Sequence, residues 1–475
     1  MKILLLFPKW SGEYGLFGYF AKKGSTWPPL NLAYLAAIAE KQGHQVKIID
    51  GQAEDLSAEA IIRQAEEFNP DLIGMTATTP FFHVVNDLAR QLKEKLNKPI
   101  IIGGHHITVL KEQAFSPWFD YAFIGEAEDS WSSFLERYQN NDDLSGVKGL
   151  LYREGDEFEF TGEAQPILDL DQLPLPARHL LKPQLYKMGT LKGTKKFTTI
   201  MTVRGCPFEC IFCSTDVFGR KVRKRSPELV IKEIKQIIKE QGIRHYVFLD
   251  DTLTLDRRHI LRICDLIIEE ELNITFEGST RADLVDEELV SRLAKAGMIR
   301  ISFGLETVDE NIRKIMKKNV PLESYHLANK LTNKYGIETL NSCMIGLPGE
   351  TRETVEKTLA YLRKSKEIKQ ANMSIAVPYP GTKLYEMAKR GENGLKLVSE
   401  DFSNFRRYNA AVMQVGDLSR EDLIRLQNRA YVEIYSAPWR IMPMLRKSGV
   451  IGGLLTISRL FKYLAHKYRA KGAKI

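Results

Sequence analysis

The segment RGCPFECIFC, Arg204 to Cys213, sets three cysteines at positions 206, 210 and 213. A disulfide joins two thiols and a closed zinc site takes four ligands, so three thiols match neither. Three thiolates can hold three irons of a [4Fe–4S] cube and leave the fourth iron open to a small ligand. The plainer alternatives are a zinc site that borrows a distant histidine, or three incidental thiols. No histidine follows closely enough to complete the first, and zinc knuckles usually pair two close couples of ligands.

Outward from the triplet, FTTIMTV (197–203) reads as a buried strand that ends just before it. Further apolar runs follow at YVFLD (246–250), ITFEGS (274–279), RISFGLE (300–306), LNSCMIG (340–346) and MSIAVP (373–378). Amphipathic stretches at 227–241, 257–271, 286–296, 308–317, 322–335 and 351–366 fall between them. Six strand–helix repeats predict a partial (β/α)6 barrel, since a full eightfold barrel takes ~250 residues. The triplet then lies at the carboxyl end of the first barrel strand, where such folds place their chemistry.

Upstream, ILLLF (3–7), QVKIID (45–50), LIGMT (72–76), PIIIGG (99–104) and YAFIG (121–125) alternate with helical patterns at 31–41, 58–67, 84–95 and 129–138. This alternation predicts an α/β fold with a doubly wound, Rossmann-like sheet and ligands at the carboxyl ends of its strands. The expected organisation is an N-terminal α/β domain (1–140), a linker (141–195) containing LPLPAR, the barrel (196–405), and a helical, basic C-terminal region (406–475).

The length of 475 residues suits two or three domains. MKILLLF holds only five consecutive apolar residues, too few for a signal-peptide core of ~7–15. No run approaches the ~18 apolar residues of a membrane span. A cytoplasmic chain with reduced thiols is expected, and five cysteines do not suggest a disulfide framework. The net charge of +8 is local: nine Lys and Arg and no acidic residue lie from Arg440 to the end. The rest is near neutral, so no nucleic-acid partner is expected.

Cys206-x3-Cys210-x2-Cys213, with Phe212 before the last cysteine, resembles the signature of the radical S-adenosylmethionine (SAM) superfamily. The resemblance implies SAM bound to the open iron, and its reductive cleavage to methionine and a 5′-deoxyadenosyl radical that takes hydrogen from an unactivated carbon. It also implies SAM contacts for Phe212, for Asp250 and Asp251 after the second strand, and for Arg281 after the third (the carboxylate). Glu306 after the fourth strand would meet the ribose, and Gly346 after the fifth the adenine. Read without the resemblance, Asp251 suits a helix cap, Glu306 a surface charge and Gly346 a turn, while Cys264 and Cys343 suit core positions.

PPLNLAYLAA (28–37), GMTATTP (74–80), IIGGHH (101–106) and GEAED (125–129) are, in this order, similar to cobalamin-binding domains that precede such a barrel. The resemblance implies cobalamin contacts for Thr76, Thr78, Thr79, Gly103, Gly104, Gly125 and Glu126; glycine lets a bulky ligand approach the backbone. One departure stands out. FPKWSGEYG (7–15) lacks the histidine of the usual Asp-x-His-x-x-Gly pattern, so water or another loop residue is expected below cobalt. His105 and His106 read as a turn pair or as residues facing the corrin.

The layout resembles cobalamin-dependent radical SAM enzymes. It implies carbon methylation through methylcobalamin, with oxidative cyclisation as the alternative and a non-catalytic corrinoid or metal-binding module as the reading from another class. Methylthiotransferases are disfavoured, because the first 205 residues contain no cysteine for a second cluster. An electron donor such as flavodoxin or ferredoxin and a small-molecule substrate are the implied partners. Leu454, Ile457, Phe461, Leu464 and Tyr468 share one helical face, and Arg459, Lys462, His466 and Arg469 the opposite one. Such a helix suits either an anionic membrane surface or the flank of the barrel. The first option implies peripheral contact with the inner membrane face and a lipid-like or porphyrin-like substrate.

Overall fold

The computed structural model describes residues 1–11, 26–155, 157–190, 193–437 and 439–440. The first sheet has seven strands in the order β2-β1-β3-β4-β5-β6-β7. They are β1 (Lys2–Phe7), β2 (Gln45–Asp50), β3 (Leu72–Thr76), β4 (Ile100–Gly103), β5 (Tyr121–Phe123), β6 (Leu150–Glu154) and β7 (Glu157–Phe160). β1 to β5 are parallel and read as unbroken apolar runs because both faces are covered. Ile3 and Leu5 pack on Leu30–Lys41 and Glu128–Asn140, while Leu4 and Leu6 pack on Ala58–Phe68 and Phe82–Leu96.

Residues 150–154 and 157–160 differ from the linker expected there. They form an antiparallel hairpin that extends the sheet beyond β5. Phe158 and Phe160 alternate with glutamates and turn toward the core beside Phe115 and Ile124. Four alternating residues give too short a window to register as a strand by pattern alone.

The second sheet is parallel throughout, in the order β10-β13-β14-β15-β16-β17. Its strands are β10 (Thr198–Ile200), β13 (His245–Phe248), β14 (Thr275–Thr280), β15 (Met298–Glu306), β16 (Glu338–Ile345) and β17 (Gln370–Ile375). Between β7 and β10 lies the hairpin of β8 (Lys187–Thr190) and β9 (Gly193–Lys196). The intervening helices begin at local signals. Ser226 caps Pro227–Gln241 by accepting from the Leu229 N–H, with Pro227 in the first turn and Gly242 (φ 64°) ending the helix. β10 and β17 are the two edges of this open barrel. The helix Arg420–Tyr435 packs on β17, where the Gln427 amide donates to the carbonyls of Met373 (3.0 Å) and Arg407 (2.8 Å).

The two sheets share apolar core. Phe197 and Val247 of the barrel belong to the cluster that holds Trp131 and Phe134 beneath the first sheet, with Ala177, Leu181 and Tyr186 between. Among the described residues no helix is long and apolar enough to cross a membrane. The basic face read at 454–469 lies outside the described residues.

Candidate active site between the two sheet edges

The three cysteines sit on a loop with a built stem. β11 (Val203–Arg204) and β12 (Arg223–Lys224) pair antiparallel and close the loop 205–222. Gly205 (φ 89°) turns the chain where any side chain would overlap the Lys221 carbonyl. The Cys206 N–H then donates to the Gly219 carbonyl at 3.3 Å. All five cysteines carry free thiols. Burial raises the pKa of Cys210; Lys318 and Arg281 oppose the rise and Cys206 adds to it. Burial likewise pushes Cys213 up to about 11, with Asp251, Cys206 and Cys210 adding to the rise. The three thiols therefore lie within electrostatic reach of one another. Cys264 and Cys343 are buried in the barrel core instead.

Among the described residues no three His, Cys, Asp or Glu side chains converge closely enough to share one metal ion. In a cube each thiolate binds a different iron. Three soft donors on one loop, with cationic side chains nearby, fit the cluster.

Around the loop, the carboxyl ends of the barrel strands present an uneven rim. Asp250 is buried and fully engaged: it accepts from the Thr202 N–H (2.6 Å), the Thr202 hydroxyl (2.5 Å) and the Val203 N–H (3.0 Å). Burial pushes it up to about 6 against these bonds. Expected beside SAM, its carboxylate ties β13 to the cysteine stem. Asp251, next in the chain, is exposed. It is not the cap of the following helix, because Asp256 accepts from the His259 N–H there. Arg281 stacks 3.8 Å above the ring of Phe208 in the cysteine loop and pairs with Asp283 through Nε (3.0 Å) and Nη2 (2.7 Å).

Glu306 sits on a β-bulge, where the β15–β16 register shifts between Gly304 and Glu306, and takes φ 61°. Such a conformation in a non-glycine residue costs energy and re-aims the side chain. Its carboxylate is held by Lys318 Nζ at 2.8 Å, and that ammonium lies 5.6 Å from the ring of Phe212. Gly346 (φ 85°) follows β16. Its N–H and that of Leu347 donate to Glu350 at 2.5 and 3.1 Å. Burial pushes Glu350 up to about 8, although both N–H groups pull the other way. Lys318 and Glu350 were not singled out by the sequence. Glu350 ends the turn LPGE (347–350), and nothing in the pair Lys317-Lys318 marks the second lysine as buried.

Across from this rim stand the carboxyl ends of β3, β4 and β5. A side chain added at Gly103 or Gly125 would meet nothing within 4 Å, so both glycines face open space. At Gly104 (φ 101°) it would meet the Ala77 carbonyl at 2.6 Å. Thr76 Oγ1 accepts from the Asn31 amide (3.3 Å), and Thr78 is exposed. Thr79 is buried and bonds His106 Nδ1 at 3.3 Å. The His106 ring packs 4.3 Å from Phe82 and 5.1 Å from Phe402, and burial pushes it down to about 4. A cradle of bare backbone with hydroxyls beside it fits a large cobalamin ligand.

Glu126, expected beside cobalamin, is buried, with its two oxygens bonded to Arg204 and Arg223 of the cysteine stem. No spacing rule links residues so far apart, and only the fold brings them together.

The two rims meet directly. A side chain at Gly381 (φ 82°) would press on Asp216 Oδ2 (2.8 Å) and on Val109 Cγ1 (2.9 Å), the latter from the helix His105–Leu110 of the first sheet. His105 has accessible surface. Burial nonetheless lowers its pKa, and the charges of Asp216 and Asp251 oppose that shift. Asp251 and Cys213 are likewise exposed, yet burial raises the pKa of each.

The Radical SAM superfamily model matches residues 200–362, and the B12 binding domain model matches residues 18–135. The chain is 34% identical over 446 residues to a protein of Pyrococcus horikoshii named uncharacterized methyltransferase PH0819, covering 92% of this chain and 93% of that protein. It is 27% identical to the anaerobic magnesium-protoporphyrin IX monomethyl ester cyclase of Cereibacter sphaeroides, over 88% of this chain and 70% of that one. Its fold matches that of the radical S-adenosylmethionine methyltransferase TsrM from Kitasatospora setae with a TM-score of 0.71 at 16% identity, covering 92% and 88% of the two chains. The cofactors are a [4Fe–4S] cluster, SAM and cobalamin. The chain belongs to the radical SAM superfamily, in its branch with an N-terminal B12 binding domain.

Proposed function

We propose that this enzyme methylates an unactivated carbon of a small molecule held in the cleft, with Cys206, Cys210 and Cys213 as the cluster ligands. The observation that carries the reading is the pairing of the two rims: free soft thiols on one side and a glycine cradle on the other. When bound, the reduced cluster and SAM supply hydrogen abstraction, and cobalamin supplies the methyl group. The chain's own residues bind and orient. Glu306, which sits on a bulge and pairs with Lys318, would accept from the ribose hydroxyls. Arg281 and Asp251 would meet the charged end of SAM, Phe212 would flank the nucleoside, and Gly346 would meet the adenine through its backbone, because Leu423 fills the space a side chain would take there. Thr76, Thr78, Gly103, Gly104 and Gly125 form the cobalamin seat, and Thr79 supports it through His106.

The test is anaerobic reconstitution followed by reductant, SAM and a lipid extract of the host. A methylase forms 5′-deoxyadenosine, S-adenosylhomocysteine and a methylated product together. A radical cyclisation that transfers no methyl group would form 5′-deoxyadenosine without S-adenosylhomocysteine. Fewer than about three irons per chain, or intact SAM, removes the reading. Flavodoxin or ferredoxin suits the role of electron donor. The amphipathic basic pattern at 454–469 supports peripheral membrane contact and an apolar substrate. Co-sedimentation with anionic vesicles that disappears at high salt is the expected sign.

A further inference from the structure

Arg204 and Arg223 are direct partners across the two-residue ladder that closes the cysteine loop. Like charges opposite each other on adjacent strands repel. Here both guanidinium groups are buried, with 4% and 2% of their side chains exposed, so water cannot screen them. The neutralising charge comes from the other sheet. Glu126, just after β5, gives one oxygen to Arg204 Nη1 and the other to Arg223 Nη1 (2.5 Å). Glu128 accepts from Arg204 Nη2 at 2.6 Å. The Arg204 guanidinium lies between the rings of Tyr34 (5.5 Å) and Phe218 (5.0 Å), the first from the N-terminal domain and the second from the loop. Arg223 also donates to the Ile167 and Phe218 carbonyls, both at 2.8 Å. Burial alone would lower the pKa of Arg204, but Glu128 and Glu126 outweigh it and keep the group charged.

Two buried cations and two buried anions thus form a neutral quartet split between the halves of the molecule. Gly125, immediately before Glu126, is one of the two glycines that face open space. The same short turn therefore borders the cobalamin cradle and locks the cysteine stem.

We propose that Glu126 is a positioning residue that couples the closed cysteine loop to the seated N-terminal domain, so that occupancy of the cobalamin cradle and retention of iron support each other. The inference rests on the cofactor placement proposed above. Removing one member of a buried ionic group leaves the others uncompensated, so Glu126→Gln should loosen the stem without touching a thiol. Coupling between two binding equilibria is reciprocal: hydroxocobalamin should tighten iron binding by the factor by which the cluster tightens hydroxocobalamin binding, and slower iron release is the expected sign.

The experiment follows iron release to a ferrous chelator from reconstituted full-length protein, with and without hydroxocobalamin. In the wild type, hydroxocobalamin should slow release several-fold. In Glu126→Gln, release should be roughly tenfold faster, the lower end of what loss of an outer partner does to metal sites, and hydroxocobalamin should no longer slow it. Arg204→Lys keeps the charge but loses the fork; it should give the same change at smaller size and stands in if Glu126→Gln does not fold. Thermal unfolding of the apo-proteins separates this from general weakening, which lowers the melting temperature but leaves the hydroxocobalamin effect intact. Wild-type release and a retained hydroxocobalamin effect in both variants overturn the inference. A wild type that loads no iron or takes up no hydroxocobalamin overturns the cofactor placement itself, and the coupling with it.

Discussion

The two rims that face each other across the cleft are built on opposite plans. The edge of the first sheet works by omission: Gly103 and Gly125 leave space, and Thr76 and Thr78 add only hydroxyls. The edge of the barrel works by addition, with three thiols, a strained Glu306, a buried Lys318 and a buried Glu350 crowded around one loop. A large preformed ligand that brings its own chemistry needs shape, and shape is made by removing side chains. A reactive cluster and a charged nucleoside need ligands and counter-charges, which only side chains supply.

Substitutions test this contrast, and the largest effect belongs to the barrel rim. Cys206→Ala, Cys210→Ala or Cys213→Ala should each abolish stable iron loading and SAM cleavage, read by iron assay after anaerobic reconstitution. Cys264→Ala, in the core, should keep its iron. If it does not, the division between ligand and core cysteines is wrong.

Next comes the pH dependence of apo-protein stability, which should differ in sign between the rims. Glu350 has a folded pKa of about 8 against an ordinary 4.5, so the folded state holds the proton more tightly. Its contribution is present below 4.5 and lost as pH rises toward 8, by at most about 5 kcal/mol at 1.36 kcal/mol per unit. Glu350→Gln should flatten that alkaline limb in urea titrations. On the first sheet His106 is depressed to about 4 from 6.5, so stability is present above 6.5 and lost as pH falls toward 4. The loss is on the order of 3 kcal/mol, and His106→Asn should flatten the acid limb. Identical slopes in variants and parent would break the contrast.

The smallest effect on stability is the sharpest test of omission. Gly104→Ala would press on the Ala77 carbonyl at a left-handed φ, for a cost of about 1–3 kcal/mol. Gly103→Ala points into open space and should stay within about 0.5 kcal/mol of the parent, yet retain less cobalamin on purification. Full retention by Gly103→Ala would remove the cradle from the proposed site.

Much of this plan was legible beforehand. The parallel strands of both sheets announced themselves through apolar runs, because strands covered on two faces leave few polar positions to blur the pattern. The cysteine spacing was legible because its ligands are adjacent in the chain. What escaped was long-range. Glu126 meets Arg204 and Arg223 across the domain boundary, Asp250 turned back onto the stem, and the 150–160 hairpin was too short to read. Glu306 was named from its neighbours, but the bulge that aims it depends on the register with β16. Tertiary charge pairing leaves no periodicity.

The helix Arg420–Tyr435, which lies against β17, also orders events in time. A growing polypeptide releases the last barrel strand from the ribosome before its cover exists, with a bare hydrogen-bonding edge available to other nascent chains. A truncation placed ahead of Arg420 should yield inclusion bodies in place of a shorter working enzyme.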